Sequence, residues 1–197
     1  MAEQDAADFE ASYAGTPPWD IGEPQPGFAR LAADGRLHGR VLDAGCGTGE
    51  HALLAAQVGC EAFGVDFAPS AIRRAEAKAR DRGLAATFVV GDALDLVSLG
   101  RAFDVVLDCG LFHVFDDADR ARYVASLGDV IPPTGGYFML CFSDDEPPGW
   151  GPRRITQAEI HDAFADGWRI ASIEPTLLNV TIRPEPVRSW LAAIVRV

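Results

Sequence analysis

The 197-residue chain lacks most of the features that announce common protein classes. It has no C-x-x-C pair: its four cysteines stand alone at 46, 60, 109 and 141. Isolated thiols fit a reducing cytosol better than a disulfide framework. The start, Met1-Ala2-Glu3-Gln4-Asp5, lacks the basic residues and apolar run of a secretion signal. No stretch is long and apolar enough to cross a bilayer. The four histidines, 38, 51, 113 and 161, are scattered without H-x-x-E-H or comparable spacing, so no bound metal is expected. Basic residues are too few to balance the acids: 17 against 29, a net charge of −12. Such a surface repels phosphate backbones, which excludes nucleic acid as the expected partner. Repeats and low-complexity linkers are also absent. These absences predict one soluble, cytoplasmic domain with no membrane partner. They leave oligomeric state open.

What is present is a core-forming composition, 48% hydrophobic, and one informative segment, Val41-Leu42-Asp43-Ala44-Gly45-Cys46-Gly47-Thr48-Gly49-Glu50. A short apolar strand enters a G-x-G-x-G turn and a helix follows at once. Glycines permit positive φ and leave no Cβ between backbone and ligand. The helix start presents unpaired N–H groups. A nucleotide-like ligand is therefore expected against bare backbone at the carboxyl end of the first strand. A G-x-G turn alone is weak, but three further strands follow it. Glu61–Asp66 ends in an acid about 20 residues past the turn, the spacing of a ribose-hydroxyl acceptor. Phe88-Val89-Val90-Gly91-Asp92-Ala93 also ends in an acid, suited to an adenine amino group. Phe103–Asp108 stops at Cys109-Gly110.

Strands and helices alternate from Val41 onward. Helices are predicted at Glu50–Val58, Ser70–Arg82, Ala118–Leu127 and from the Thr156-Gln157-Ala158-Glu159 capping box to about Phe164. A shorter helix is placed near Ala93–Leu99. Tyr137–Phe142, Trp168–Ile173 and Trp190–Val197 complete seven strands. The alternation argues an α/β fold with a doubly wound, mostly parallel sheet. Upstream, Phe9 and Tyr13 are four apart and would share a helical face, though an acidic, alanine-rich start also reads as a frayed tail. The prolines of residues 16–27 argue against helix there. Helical spacing resumes at Phe28, Leu31 and Leu37. The division expected is an arm over 1–27 and a globular domain over 28–197.

VLDAGCGTGE, GVDFAPSAI, GDALDL and FDVVLDCGLFH, in this order, resemble the class I S-adenosylmethionine-dependent methyltransferases. Pro17-Pro18-Trp19-Asp20-Ile21-Gly22-Glu23-Pro24-Gln25-Pro26 is similar to the P-W-D-x-G-x-P-x-P stretch of the thiopurine, halide and thiol branch, and to actinobacterial enzymes that methylate heterocyclic toxins. The resemblance implies a Rossmann-like fold whose last strand runs antiparallel, S-adenosylmethionine as methyl donor and S-adenosylhomocysteine as product. It implies a small, aromatic or heterocyclic acceptor, methylated on O, N or S. Asp108-Cys109-Gly110-Leu111 departs from the (Asp/Asn)-Pro-Pro-(Tyr/Phe) element of DNA-modifying relatives.

Methyl transfer from a sulfonium is an in-line displacement that needs alignment more than a nucleophile–base pair. Donor-side candidates are Trp19, Asp43, Gly45, Cys46, Gly47, Asp66, Phe67, Asp92, Ala93 and Cys109. Asp43 pairs either with the donor's amino group or with the loop's own N–H groups. Asp66 is the ribose acceptor, its alternative an N-cap that Ser70 fills better. Asp92 is the adenine contact or an N-cap. Trp19 is a lid whose ring gains a cation–π contact with the sulfonium, or a core anchor. Acceptor-side candidates are Tyr13, Phe112, His113 and Trp150. His113, past the fourth strand, is either a catalytic base or a pocket-lining residue. A nicotinamide-dependent oxidoreductase would want Gly in place of Glu50 and a Tyr-x-x-x-Lys pair, and Tyr13, Tyr123 and Tyr137 have no such partner. A non-catalytic donor-binding protein is the remaining alternative.

Overall fold

The computed structural model describes residues 3–197; Met1 and Ala2, part of the start read above against a secretion signal, lie outside them. Helices α1 (Glu3–Ser12) and α2 (Pro26–Ala33) precede β1 (Arg40–Ala44), α3 (Glu50–Gln57), β2 (Glu61–Asp66), α4 (Pro69–Arg82) and β3 (Ala86–Val90). Then come β4 (Val105–Cys109), α5 (Asp117–Val130), β5 (Gly136–Phe142), α6 (Gln157–Ala163), β6 (Trp168–Leu178) and β7 (Val187–Arg196). Short 3₁₀ helices cover Ala93–Leu99 and Phe112–Val114. The strands form one sheet in the order β3-β2-β1-β4-β5-β7-β6. β1 pairs in parallel with β2 and β4, β2 with β3, and β4 with β5, while β7 runs antiparallel to both β5 and β6. The expected seven-stranded, mostly parallel sheet with an antiparallel last strand is what forms. Strand order reverses between β1 and β4. In open α/β sheets the crevice beyond the carboxyl ends at such a switch point is where ligands bind.

Strands buried on both faces need two cores. On one face Phe112, Tyr123, Leu127, Tyr137 and Phe164 pack under α5 and α6; on the other Phe28, Leu31, Phe138 and Leu140 pack under α2. Several boundaries differ from expectation for local reasons. α2 opens at Pro26, within the segment thought too proline-rich for helix, because proline is tolerated at the first helical position. Phe103 is outside β4, since its N–H turns to the carbonyl of Val130. β6 runs through Pro175 to Leu178; it is an edge strand, where a missing donor costs little. The first fifteen residues include a docked helix. Arg74 on α4 donates to the carbonyls of Tyr13 and Gly15 at 2.7 and 2.9 Å, and Ser70 donates from its N and Oγ to Glu10. The Thr156–Glu159 capping box forms as read, each side chain accepting from the other's backbone N–H. Among the described residues no helix is long and apolar enough to cross a membrane.

Candidate active site

The glycine turn joins β1 to α3 at the switch point. Gly45 and Gly47 both hold positive φ, 67° and 52°, which favours glycine strongly. A Cβ on Gly47 would lie 3.0 Å from the Tyr13 hydroxyl, so the arm already rests on the turn. A Cβ on Gly45 would lie 3.1 Å from Leu111, so the segment after β4 borders it from the other side. The arm and the segment after β4 thus flank the glycine turn from two sides.

Asp66 ends β2 there. Its carboxylate accepts from the N–H of Gly47 at 2.7 Å and of Ala68 at 2.9 Å. Each oxygen keeps a second lone pair for a ligand hydroxyl. Burial pushes its pKa up, against those two bonds. Ser70 is not the helix cap; that place is taken by Ala68, and Ser70 serves instead to hold Glu10. Phe67, next along, is 41% exposed, an aromatic face beside the acid. Asp92 ends the chain beyond β3 and caps the 3₁₀ helix, its Oδ1 accepting from Leu94 N–H at 2.9 Å. Ala93 beside it is buried.

Three donor-side candidates are partly or fully buried. Asp43 is fully buried, its Oδ2 accepting from Ala52 N–H at 3.2 Å and its Oδ1 shut away without a partner. Burial pushes its pKa well up. It braces the turn against α3 through that bond. Cys46 is buried in the small cluster under α3 and α4, with its N–H committed to the carbonyl of Val65. Cys109 packs toward the α2-side core. Burial pushes both thiols well up.

The arm is clamped to the turn by groups that pattern reading passed over. Thr48 Oγ1 donates to Asp20 at 2.8 Å, and Lys78 donates to Thr48 at 2.6 Å and to Glu50 at 2.7 Å. Arg82 adds a bidentate pair to Glu50 at 2.7 and 2.8 Å. Burial works against the Glu50 anion, yet Arg82 and Lys78 hold its pKa below the usual range. Trp19 is 41% exposed and donates from Nε1 to the Tyr13 hydroxyl at 3.1 Å; its ring packs against Phe9 at 5.7 Å. Tyr13 itself is buried against Ala68 and Ala71, where burial, then Asp66, raises its phenol pKa. It therefore stands over the donor turn rather than beside Trp150. The arm's other edge is held by the β6–β7 connection: Thr181 N–H donates to Pro18, and Gln25 exchanges bonds of 2.9 and 2.8 Å with Asn179.

Beyond β4, Asp108 organises the acceptor side. It is fully buried and accepts from Leu111 N–H, Phe112 N–H, the Tyr123 hydroxyl at 3.1 Å and the Tyr137 hydroxyl at 2.7 Å. It so fixes the turn that carries His113. Phe112 is not a pocket residue: it is fully buried, stacked on Phe164 at 5.9 Å with Arg120 over its ring at 4.6 Å. Trp150 is half-buried, 5.3 Å from Phe142 and 4.3 Å from the Arg183 guanidinium. Arg153 pairs with Asp117 and Glu159, and Arg154 is spent on the carbonyls of Glu146, Trp150 and Pro152, which braces the loop after β5.

Of the two readings open for His113, base or pocket lining, the geometry supports the second. Its Nδ1 accepts from Phe142 N–H at 3.0 Å, so the neutral ring carries its proton on Nε2. Burial, then the charges of Arg154 and Arg120, hold its pKa down to about 3, so the ring stays neutral. A base needs a free lone pair on the outward nitrogen, and here that nitrogen carries the proton.

The methyltransferase-domain family pattern matches residues 41–135, from β1 to the start of β5. The 2-heptyl-1-hydroxyquinolin-4(1H)-one methyltransferase of Mycobacteroides abscessus is 36% identical over 181 residues, 86% of this chain and 80% of that one. The probable thiol methyltransferase 2 of Arabidopsis thaliana is 29% identical over 162 residues, covering 81% and 72%. A solved structure concerned with conversion of a disulfide bond into a thioacetal group during echinomycin biosynthesis superposes with TM-score 0.88 at 38% identity, over 97% of this chain and 92% of that one. With the glycine turn, the acid ending β2 and these relatives together, the chain belongs to the S-adenosylmethionine-dependent methyltransferases.

Proposed function

We propose that this enzyme methylates a small aromatic or heterocyclic acceptor on an O or S nucleophile, and that the arm over 1–27 closes the site. The observation that carries this reading is the enclosure of one crevice by the glycine turn, the clamped arm and the turn bearing His113. The donor-side residues fit S-adenosylmethionine: Asp66 keeps lone pairs for the ribose hydroxyls, Phe67 offers an exposed ring, and Asp92 lies one strand over for the adenine edge. When bound, S-adenosylmethionine supplies a methyl group on a positively charged sulfur. The chain's own residues bind, orient and exclude water. Alignment of this kind is worth roughly 7–11 kcal/mol of barrier. Trp19 and Tyr13 cover the donor turn, and Trp150, half-buried against Phe142, is the aromatic side chain assigned to the acceptor side. The hydroxyquinolinone and thiol methyltransferases among the relatives support a small acceptor with an acidic O–H or S–H.

An acceptor screen read out by S-adenosylhomocysteine release tests the reading. Hydroxyquinolinones and aromatic thiols are expected to give turnover, and oligonucleotides none. Asp66→Ala is expected to weaken S-adenosylhomocysteine binding by about 1.5–3 kcal/mol, the value of hydrogen bonds to a charged acceptor. Calorimetric titration measures it, and an unchanged affinity removes Asp66 from the donor site.

A further inference from the structure

We infer that His113 determines specificity as a fixed N–H donor from Nε2, and that the enzyme takes acceptors that arrive already ionised, as thiolates or acidic oxyanions. This rests on the small-acceptor reading above and names the chemical state of that acceptor. Three observations carry it. First, Nδ1 is occupied by Phe142 N–H, a backbone group that can only donate, so the outward nitrogen cannot also be bare in a neutral ring. Second, the ring packs edge-on to Phe142 at 4.9 Å with Nε2 on the side of Gly110, whose lack of a Cβ, which would stand 3.1 Å away, leaves that nitrogen uncovered. Third, the charged groups acting on the ring are Arg154 and Arg120, both cations, with no carboxylate placed to take a proton from it. The turn that bears His113 also borders the glycine turn, where the Leu111 side chain would lie 3.1 Å from a Cβ on Gly45.

The chemistry balances without any proton acceptor on the protein. The nucleophile loses its proton to solvent before binding. Its lone pair forms the new bond to the methyl carbon, and the pair of the breaking C–S bond goes to sulfur. An anion and a sulfonium thereby become a neutral thioether or ether and a neutral sulfide. A single N–H at Nε2 holds the anion in line; a neutral O–H or S–H can also accept that bond, but more weakly, since charge-assisted bonds are roughly twice as strong.

Two thiols of different acidity, thiophenol and benzyl mercaptan, test this in the intact enzyme with S-adenosylmethionine. In the wild type, the acidic limb of kcat/KM is expected to follow each thiol's own pKa, lying lower for thiophenol. His113→Leu is expected to lose about 10- to 100-fold, the value of one hydrogen bond to an anion. His113→Gln, whose amide N–H reaches the Nε2 position, is expected to recover to within about 5-fold, whereas a base would not be replaced by an amide. S-adenosylhomocysteine affinity and melting temperature, measured on both variants, report the fold separately. A limb at the same pH for both thiols, or a glutamine variant as inactive as the leucine one with fold and donor affinity intact, overturns the inference. Turnover of neither thiol, nor of any hydroxyquinolinone, by the wild type overturns the small-acceptor reading and this inference with it.

Discussion

Deleting residues 1–22 is expected to leave a folded sheet and to reduce methyl transfer at least about 100-fold, the scale at which small misplacements of reacting groups tell. The sheet does not depend on the segment. All seven strands and both large cores begin at or after Phe28. The site does depend on it. The deletion removes Tyr13 from the face of Gly47, Trp19 from its bond to Tyr13, and Asp20 from Thr48. Lys78 loses the Asp20 carboxylate while Glu50 keeps Lys78 and Arg82, and the crevice is open on that side. Water in the site weakens every electrostatic contact made there. Thermal unfolding by circular dichroism and S-adenosylhomocysteine release, run on the same preparation, separate the two effects. Full activity in the truncated protein would make the arm a tail; loss of the cooperative melt would make it part of the core.

Asp108→Ala is expected to cost at least about 3–5 kcal/mol of stability, the range for breaking a buried charged network by removing one partner. The substitution orphans two backbone N–H groups and two buried phenols at once, and each buried donor left unmade is costly. Asp108→Asn keeps most of the volume and serves as the milder companion. The wild type also carries a pH signature. Burial pushes Asp108 up to about 6, in spite of the Tyr137, Leu111, Tyr123 and Phe112 bonds that oppose it. A carboxyl held above its unfolded pKa of about 4 favours the fold most when protonated. Stability drawn from this site is therefore present below pH 4 and falls as pH rises through 6. Denaturant midpoints measured from pH 4 to 8 should show that decline in the wild type, and Asp108→Asn should flatten it. A neutral effect of the alanine substitution would show that the tyrosine–carboxylate cluster does not hold the turn.

Much of the fold was legible because it is written in local patterns. The glycine turn, the acids ending the second and third strands, the Thr156–Glu159 capping box and the alternation of apolar runs each depend on neighbours in sequence. The antiparallel β7 entered through resemblance, since no local signal in Val187–Arg196 reports its direction, and the strand order was not read from the sequence at all. In the site, Asp66 reads correctly as a strand-end acid because that role follows from spacing. Spacing alone cannot orient a side chain: it leaves Asp43 open between donor and loop, and Asp43 turns to α3, while Phe112, expected in the acceptor pocket, turns to Phe164. His113 stayed open between base and pocket lining for a different reason. Its chemistry is decided by Phe142, 29 residues away, whose N–H reaches Nδ1 only once β5 lies beside β4. The Asp20–Thr48–Lys78–Glu50 clamp is equally non-local. Glu50 gave the one usable hint, an acid directly after the last glycine where a dinucleotide site would prefer glycine.

The most direct test of the account is a paired product analysis. The enzyme is incubated with S-adenosylmethionine and either a hydroxyquinolinone or thiophenol. S-adenosylhomocysteine and methylated acceptor are then quantified together by mass spectrometry. The account predicts acceptor-dependent formation of both in equal amounts, with the methyl on the acidic O or S. Tight donor binding with no methylated product from either acceptor class, or methyl found only on a poorly acidic hydroxyl or a protonated nitrogen, would contradict it.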